Sequence, residues 1–598
     1  MREFSLPALY EVPADGNLTD IVRRNAAQHP DVAVIARKSG GAWRDVTARQ
    51  FLAEVHTAAK GLIASGVQPG DRVGLMSRTR YEWTLLDFAI WSAGAITVPV
   101  YETSSAEQVS WILGDSGATA CVVESAAHAA AVESVRQELP ALKNVWQIDA
   151  GAVEELGRLG ADVTDGAVEE RSSIAKADDP ATIVYTSGTT GRPKGCVLTH
   201  RSFFAECGNV VERLRPLFRT GECSVLLFLP LAHVFGRLVQ VAPMIAPIKL
   251  GCVPDIKNLT DELAAFRPTL ILGVPRVFEK VYNGARAKAQ ADGKGRIFDK
   301  AADTAIAYSK ALDTSSGPSF GLRIKHKVFD KLVYSKLRAV LGGRGEYAIS
   351  GGAPLGERLG HFFRGIGFTV LEGYGLTESC AATAFNPWDR QKIGTVGQPL
   401  PGSVVRIADD GEVLLHGEHL FKEYWNNPGA TAEALADGWF HTGDIGTLDE
   451  DGYLSITGRK KEIIVTAGGK NVAPAVIEDR IRAHALVAEC MVVGDGRPFV
   501  GALVTLDEEF LGRWCAEHGK PAGSTAASLR EDPDLLAAVQ AAVDDGNSAV
   551  SKAESVRKFR VLGAQFTEDS GHLTPSLKLK RNVVAKDYAD EIEAIYAK

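Results

Sequence analysis

The sequence predicts an α/β protein that consists of a large N-terminal part and a smaller C-terminal α+β part. The chain has 598 residues, which is more than one compact domain usually holds. Strand-like and helical segments alternate through its first half, as is typical of a doubly wound, largely parallel sheet. From about Gly411 the pattern changes to short strands separated by glycine-rich turns.

The alternation begins early in the chain. Thr47 and Gln50 have the spacing of a capping box, and an apolar helical face continues from them to Gly66. Strands are predicted at 72–76, 96–100 and 120–123, with a helix around 83–91. Ligands of doubly wound sheets bind beyond the carboxyl ends of the strands, so we expect the loops that follow strands to carry the chemistry.

The longest apolar region, 223–253, is predicted to form a buried strand and helix. Arg237 and Lys249 divide it into pieces of 14 and 11 residues (223–236 and 238–248), and three prolines interrupt it further. A bilayer span needs about 20 consecutive apolar residues, so neither piece is predicted to cross a membrane.

In the C-terminal part, short strands are predicted at 412–417, 452–458, 461–469, 490–494 and 501–506, with a helix at 474–483. A boundary near 458–461 is favoured because it lies between two strand-like runs. The expected domains are therefore 1–458 and 459–598.

Composition excludes several classes of protein. The chain has 45% hydrophobic residues and a net charge of −8, so it is neither disordered nor a general nucleic-acid binder. Its eight cysteines include no CxxC pair, which argues against a zinc site or redox dithiol and fits a reducing cytosol. The N-terminus lacks the apolar core of a signal peptide. We expect a cytoplasmic protein.

One segment of this acidic protein has a net positive charge. Residues 281–340 hold 12 Lys and Arg against 5 Asp, a local balance of +7. This is typical of a solvated helical face, and it also suits contact with a phosphate-rich ligand or a membrane surface.

The strongest local motif is YTSGTTGRPKG at 185–195, directly after a strand-like run at 181–184. Glycines let backbone N–H groups approach an anion, and hydroxyls and Lys194 add donors, so the motif predicts a phosphate-binding loop. It is not a Walker A loop. Counted from Gly188, Pro193 stands at the second glycine position, and Gly195 follows the lysine in place of Ser or Thr.

Two further motifs are weaker alone. EGYGLTES at 372–379 follows a strand and places an open aromatic face at Tyr374 ahead of Glu378, a hard oxygen ligand suited to Mg²⁺. HTGD at 441–444 ends in Asp444, which could accept both hydroxyls of a ribose, although a turn-forming role is common for Asp. The sequence also has three basic runs, each of which is by itself typical of a surface turn: 458–461, 467–470 and 571–581.

In this order the motifs closely resemble the adenylate-forming enzymes: acyl-CoA synthetases, amino-acid adenylation domains and luciferases. The resemblance extends from about residue 17 to residue 581. FLPLAHVFGR at 228–237, PTLILGVPRVFEKVY at 268–282 and GRKKEIIVTAGGKNVAP at 458–474 are similar to the long-chain fatty-acyl-CoA synthetases, and an actinobacterial member is expected.

The resemblance implies an N-terminal domain with doubly wound mixed sheets and a β-barrel-like part, and a mobile C-terminal domain. It implies ATP-dependent activation of a long-chain fatty acid to acyl-AMP, followed by thioester formation with CoA, with Mg²⁺ as metal. Transfer to the phosphopantetheine of a carrier protein and a non-catalytic binding role are the alternatives. The resemblance leaves open a homodimer and a peripheral contact with the inner face of the membrane. No nucleic-acid partner is expected.

Site roles follow from the resemblance position by position. Phosphate contacts are expected from Thr186, Ser187, Gly188, Thr189, Thr190, Gly191 and Lys194. The adenine and acyl side is expected to be lined by Gly351, Gly352 and Ala353 and by Glu372, Gly373, Tyr374 and Gly375, with Tyr374 stacked on adenine.

The remaining roles concern catalysis and domain movement. Thr377 is expected at the α-phosphate, Glu378 at Mg²⁺ and Asp444 at the ribose, with Arg459 beside it. Lys461 takes the place of the hinge, Gly468 borders the pantetheine tunnel, and Lys578 meets the carboxylate and the α-phosphate. His233 is expected to close the acyl site, with a core histidine as the alternative.

One departure from the family pattern concerns Lys578. The family has Gly directly before this lysine, and here the residue is Leu577. Lys580 is the alternative if the register is shifted by two.

Overall fold

A computed structural model describes residues 1–186, 192–574 and 577–597. Within these residues the two main sheets carry helices on both faces, as the alternation predicts. The strands of the first sheet, in spatial order, are Gln398–Pro399, Ala384–Phe385, Thr369–Tyr374, Tyr347–Ser350, Leu270–Gly273, Ser224–Leu227, Lys249–Cys252, Ala33–Ser39 and Ala42–Thr47. Those of the second are Glu423–Tyr424, Lys194–Thr199, Pro180–Thr186, Ile96–Val100, Arg72–Met76, Ala120–Val123 and Asn144–Gln147.

Both sheets are mixed. The central strands pair in parallel, and antiparallel pairs occur at both ends of the first sheet and at one end of the second, for example Lys194–Thr199 against Pro180–Thr186. The predicted strands at 72–76, 96–100 and 120–123 have the bounds expected from the sequence. The capping box of Thr47 and Gln50 is also present and begins the helix Ala48–Ala64.

The helices of the large domain are Thr19–Gln28, Ala48–Ala64, Tyr81–Ser92, Ala106–Ser116, Ala126–Ser134, Ala152–Leu159, Asp165–Ser172, His200–Arg213, Val234–Ile245, Leu259–Phe266, Pro275–Ala291, Gly295–Leu312, Phe320–Phe329, Ser335–Val340, Glu357–Gly365 and Pro428–Ala434. The apolar region 223–253 forms the predicted strand and helix, followed by a second strand, Lys249–Cys252, that was not predicted. No helix in the described residues is both long enough and apolar enough to cross a bilayer.

A third, antiparallel sheet completes the large domain. Its strands, in spatial order, are Glu3–Ser5, Ser403–Ile407, Glu412–Gly417, Phe440–Leu448 and Leu454–Arg459. The pattern change near Gly411 therefore marks this sheet and does not begin the C-terminal domain, because the sheet packs into the large hydrophobic core through Val405, Val413 and Leu454.

The C-terminal part has hydrophobic cores of its own. Its strands are Ile464–Val465, Asn471–Val472, Val487–Val493, Val500–Leu506 and Val556–Val561. Its helices are Pro474–Arg482, Glu508–Glu517, Ala526–Leu529, Pro533–Asn547, Arg581–Asp587 and Ala589–Tyr596. Two separate clusters of buried side chains lie within 464–595, and the large cluster ends at Leu454. The fold is thus a large domain with mixed sheets and a small α+β domain.

Candidate active site

A cleft of about 2390 Å³ lies between the two domains. Its walls include the loops that follow the strands ending at Leu227, Gly273, Ser350 and Tyr374. These loops leave the carboxyl ends of neighbouring strands of one sheet, where doubly wound proteins bind their ligands. The loops predicted to carry the chemistry therefore meet at one place.

The ends of the predicted phosphate loop are anchored at the cleft. Thr186 and Lys194 face each other as partners in adjacent antiparallel strands. The indole Nε1 of Trp111 donates to the carbonyl of Pro193 at 2.9 Å, and the guanidinium of Arg192 lies 4.8 Å from the centre of the Trp111 ring. Ser187, Gly188, Thr189, Thr190 and Gly191 lie outside the described residues.

Glu378 is held beside Lys194 by a residue that the sequence motifs do not include. The hydroxyl of Tyr424 donates to Glu378 Oε1 at 2.7 Å, and the Lys194 ammonium lies 4.9 Å from the centre of the Tyr424 ring. Glu378 and Thr377 form a short 3₁₀ turn after the strand Thr369–Tyr374. Tyr424 thus joins the phosphate-loop lysine to the predicted metal ligand.

Tyr374, Asp444 and Arg459 lie together in a second cluster. The hydroxyl of Tyr374 donates to Asp444 Oδ2 at 2.6 Å, and Arg459 Nε lies 3.0 Å from Asp444 Oδ1. Asp444 and Arg459 are partners in the third sheet, which fixes their spacing. Burial raises the pKa of Asp444, while the Arg459 cation and the Tyr374 hydrogen bond oppose that rise.

Lys578 reaches this cleft from the small domain. Burial lowers its pKa from the ordinary value and the Arg459 cation adds to the effect, whereas Asp444 and Glu378 favour the charged form. The side chain remains exposed at the surface of the cleft, whose lining also includes Asp444, Arg459 and Glu378. Lys578 lines the cleft, whereas Lys580 is absent from its lining among the described residues.

The backbone before Lys578 explains why the family pattern has a glycine at this position, but not why this chain has leucine. Leu577 has φ of +59°, in the left-handed region that glycine adopts without strain. A leucine there costs about 1–2 kcal/mol. Its side chain is 49% exposed, so no packing requirement selects it. Thr574 closes the turn, because its hydroxyl accepts from the Lys578 N–H at 3.0 Å.

His233 caps the helix Val234–Ile245 at the edge of the cleft. Its Nδ1 accepts from the N–H of Phe235 at 3.1 Å, which leaves Nε2 as the protonated nitrogen. Burial and the nearby Lys578 cation lower the pKa of His233 to about 4, so the ring is neutral at pH 7. His233 therefore lines the cleft and also caps the helix.

A buried ion pair anchors the same helix. Arg237 and Asp87 are fully buried, with Nη1 2.8 Å from Oδ1. The Arg237 guanidinium also lies within 6 Å of the ring centres of Trp83, Trp91 and Phe203. Because an uncompensated buried charge is costly, the pair fixes the position of the helix that carries His233.

Glycines permit close approach at the predicted adenine wall. A Cβ at Gly375 would lie 1.6 Å from the carbonyl oxygen of Ala381, so no other residue fits. Gly352 has φ of +85°. Gly351, Gly352, Ala353 and Gly373 line the cleft together with Tyr374.

Glu372 stands on the same wall with an unusual pKa. The residue is 8% exposed, and its carboxylate accepts from the N–H of Leu355 at 2.8 Å. Burial raises the pKa of Glu372 to about 7, and the Leu355 hydrogen bond opposes the rise. The carboxyl therefore changes charge near neutral pH.

The predicted hinge and tunnel residues lie apart from each other. The chain leaves the third sheet at Arg459, and Lys461 is exposed on the 3₁₀ turn Lys460–Glu462 at the rim of the cleft. Gly468 lies on an exposed turn of the small domain and does not line the cleft. The structure therefore brings Lys578, and not Gly468, to the site.

The residues present fit the predicted magnesium ion. The described residues contain no group of three or more His, Cys, Asp or Glu side chains able to hold a metal. Mg²⁺ usually binds one or two carboxylates together with substrate phosphates, so Glu378 beside the phosphate loop is sufficient.

The sequence motifs missed Tyr424, Asp87 and Arg237 as supporting residues. Tyr424 sits on a two-residue strand that pairs with Lys194–Thr199, a contact between distant parts of the chain. Asp87 is separated from Arg237 by 150 residues. Local spacing carries no signal for either contact.

Comparisons with known proteins find related sequences along the whole chain. The profile of the AMP-binding enzyme family matches residues 22–425, and that of the AMP-binding enzyme C-terminal domain matches 461–598. The chain is 52% identical to the long-chain-fatty-acid–CoA ligase FadD15 of Mycobacterium bovis, over 100% of both chains. It is 32% identical to the long-chain-fatty-acid–CoA ligase ACSBG2 of Xenopus laevis, over 95% of this chain and 82% of that one.

Solved structures show the same fold. A fatty acyl CoA synthetase of Mycobacterium tuberculosis superposes with a TM-score of 0.63 at 24% identity, covering 96% of this chain and 99% of that one. An o-succinylbenzoate CoA synthetase of Bacillus subtilis, in complex with ATP and magnesium, gives 0.67 at 21% identity, covering 94% and 98%.

Proposed function

Because the chain belongs to the AMP-binding enzyme family, we propose that it is a long-chain fatty acid–CoA ligase that forms AMP. The names of its relatives support the substrate class. The observation that carries the proposal is that Lys578 of the small domain lines the same cleft as Asp444 and Glu378 of the large domain and Arg459 at their boundary.

In the first half-reaction the fatty carboxylate attacks the α-phosphorus of ATP. The bond from this phosphorus to the bridging oxygen of pyrophosphate breaks, giving acyl-AMP and pyrophosphate. Both reactants are anions, so cations must compensate the charge that develops. Lys578 and Lys194 supply two of them. Glu378 would hold Mg²⁺, which would supply neutralisation of the phosphate charge and orientation of the leaving group.

The remaining residues position the nucleotide and the acyl chain. Tyr374 offers its ring to adenine, and Asp444 accepts the ribose hydroxyls beside Arg459. The acyl chain lies against apolar residues of 223–250 on the cleft wall, among them Phe228, Val234 and Leu238. His233 stands between the two regions as a neutral donor.

In the second half-reaction the CoA sulfur attacks the acyl carbon and AMP leaves, while the thiol proton is lost. We assign 1–458 to the first domain and 459–598 to the mobile domain, which turns about Lys461. The turn withdraws Lys578 and brings the loop of Gly468 to the cleft. Such alternation lets one cleft serve two reactions.

Pyrophosphate release across a panel of carboxylic acids tests the proposal. Release should be fastest with long-chain fatty acids, and CoA should be consumed in equal amount to the AMP formed. A phosphopantetheine-bearing carrier protein in place of CoA should support little turnover. Release confined to aromatic or short acids, or thioester formed only on the carrier, would refute it.

A further inference from the structure

Glu206 is a fully buried acid on the helix that follows the phosphate loop. This helix, His200–Arg213, begins directly after the strand Lys194–Thr199, and Glu206 is 0% exposed. Its Oε1 accepts from the backbone N–H of Ala382 at 2.8 Å. Its Oε2 has no hydrogen-bond partner among the described residues. Burying a carboxyl group with so few partners costs stability, which indicates that the group serves the contact with Ala382.

The backbone that Glu206 contacts is strained. Cys380 and Ala381, the two residues before Ala382, have φ of +56° and +113°, values that residues other than glycine rarely adopt. The carbonyl oxygen of Ala381 also lies against Gly375, where it leaves no room for a Cβ. Strained backbone persists only where the surrounding structure fixes it. The hydrogen bond from Ala382 to Glu206 is a contact that fixes this segment from outside.

The same helix also fixes the other side of this loop. The hydroxyl of Ser202, four residues before Glu206, donates to the carbonyl of Leu420 at 3.0 Å. The next residue, Phe421, donates its N–H to the carbonyl of Glu378 at 2.7 Å. Residues four apart lie on one face of a helix, so both contacts come from the same face. The 3₁₀ turn that carries Glu378 is therefore held from two sides by the helix that follows the phosphate loop.

We propose that Glu206 is a positioning residue for Thr377 and Glu378, the two residues expected at the α-phosphate and at Mg²⁺. It acts through the backbone of Ala382 and sets the place of their turn relative to the phosphate loop. Mg²⁺ tolerates little deviation from octahedral geometry, so a displaced Glu378 would hold the ion poorly. This role rests on the proposed function, because it requires MgATP to bind in the cleft.

Calorimetric titration of MgATP into the full-length protein, without fatty acid or CoA, tests this role. Glu206→Met keeps the volume and removes the acceptor, whereas Glu206→Gln keeps an acceptor for the Ala382 N–H. Asn209→Ala is the matched control. Asn209 is buried on the same helix, and its Oδ1 accepts from the N–H groups of Leu9 and Tyr10, neither of which lines the cleft. Adenosine, which has no phosphate and needs no metal, is the second ligand.

Glu206→Met should raise the Kd of MgATP by about tenfold, because a smaller fraction of the molecules then holds the turn in the binding conformation. Its Kd for adenosine should stay near the wild-type value. Glu206→Gln and Asn209→Ala should match the wild type with both ligands. Amide hydrogen exchange in 375–385 should be faster in the methionine variant than in the wild type, and unchanged in the glutamine variant.

Wild-type affinity of Glu206→Met for MgATP would overturn the role. Equal losses of affinity for MgATP and adenosine would also overturn it, because they indicate a general loosening of the fold. A wild type that binds no MgATP would overturn the proposed function and this role with it. If the methionine variant does not fold, Glu206→Asp withdraws the acceptor by one methylene and should lose affinity for MgATP alone. Unchanged affinity of the aspartate variant would then overturn the role.

Discussion

At the scale of single residues, Leu577 has a left-handed backbone directly before Lys578, which lines the cleft. Glycine or asparagine at 577 should relieve the strain, whereas valine should increase it. Leu577→Gly should keep pyrophosphate release and leave the melting temperature equal or slightly higher. Leu577→Val should lower release by about tenfold, because a 1 Å misplacement of a catalytic group is costly.

Leu577→Asn is the matched control, since asparagine tolerates the left-handed region. Pyrophosphate release by the three purified variants is the measurement. An unimpaired valine variant would mean that the turn before Lys578 does not need positive φ.

Glu372 gives a prediction about pH. Its folded pKa of about 7 lies above the ordinary 4.5, so the folded state binds the proton more tightly than the unfolded state. The stabilising contribution is full below pH 4.5 and is lost as the pH rises to 7. Glu372→Gln should therefore raise stability at pH 8, by about 3 kcal/mol at most, and change little near pH 4.5.

Melting temperatures of wild type and variant at the two pH values check this. Glu450→Gln, at an exposed loop carboxyl, is the control and should show no pH-dependent difference. An equal effect of Glu372→Gln at both pH values would contradict the assignment.

At the scale of elements, the helix Val234–Ile245 forms part of the wall assigned to the acyl chain. Leu238 lies on the cleft side of this helix. Leu238→Trp should shorten the preferred acyl chain because the ring fills the cleft. Leu238→Ala should act in the opposite direction and admit longer chains.

Chain-length profiles of CoA-dependent AMP formation measure both changes. Variants that lower every rate equally, with the same preferred length, would show that this helix does not bound the acyl chain.

The hinge is the second element with a testable role. Proline at 461 would fix φ near −65° and restrict Lys460, which would hold the turn Lys460–Glu462 in one conformation. Lys461→Pro should spare pyrophosphate release and reduce thioester formation by about two orders of magnitude or more. Lys461→Ala is the control and should be mild in both assays.

The two half-reactions are measured separately, the second with synthetic acyl-AMP and CoA. Equal loss of both, or loss of neither, would place the hinge elsewhere.

At the scale of the whole molecule, local sequence patterns predicted the helices, the strands and the positions of the motifs. They did not predict contacts between residues far apart in the chain. The strands at 72–76 and 96–100 follow from runs of β-branched and apolar residues. The sequence pattern placed two strands of the third sheet, after Gly411 and after Gly452, with the C-terminal part. In the structure this sheet packs on the large core, and that packing depends on residues far apart in the chain.

The same reason limits the site. Glu378, Asp444 and Lys578 could be named from motifs, whereas Tyr424 and the pair Asp87–Arg237 are supporting contacts between distant segments. The left-handed backbone at Leu577 also has no sequence signal, since leucine rarely adopts it.

The central claim is that Lys578 acts in adenylation and is withdrawn for thioester formation. Removal of one cation that stabilises the transition state and positions substrate should cost about two to four orders of magnitude in rate. Lys578→Ala should lose that much pyrophosphate release. Supplied with synthetic acyl-AMP and CoA, it should still form acyl-CoA near the normal rate.

Lys580→Ala is the control for register and should be mild in both assays, since Lys580 lies off the cleft. The direct test is therefore the rate of each half-reaction for Lys578→Ala beside Lys580→Ala. The account predicts that only the first half-reaction of Lys578→Ala is lost. Equal loss of both half-reactions in a folded Lys578→Ala protein, or a crippled Lys580→Ala, would contradict it.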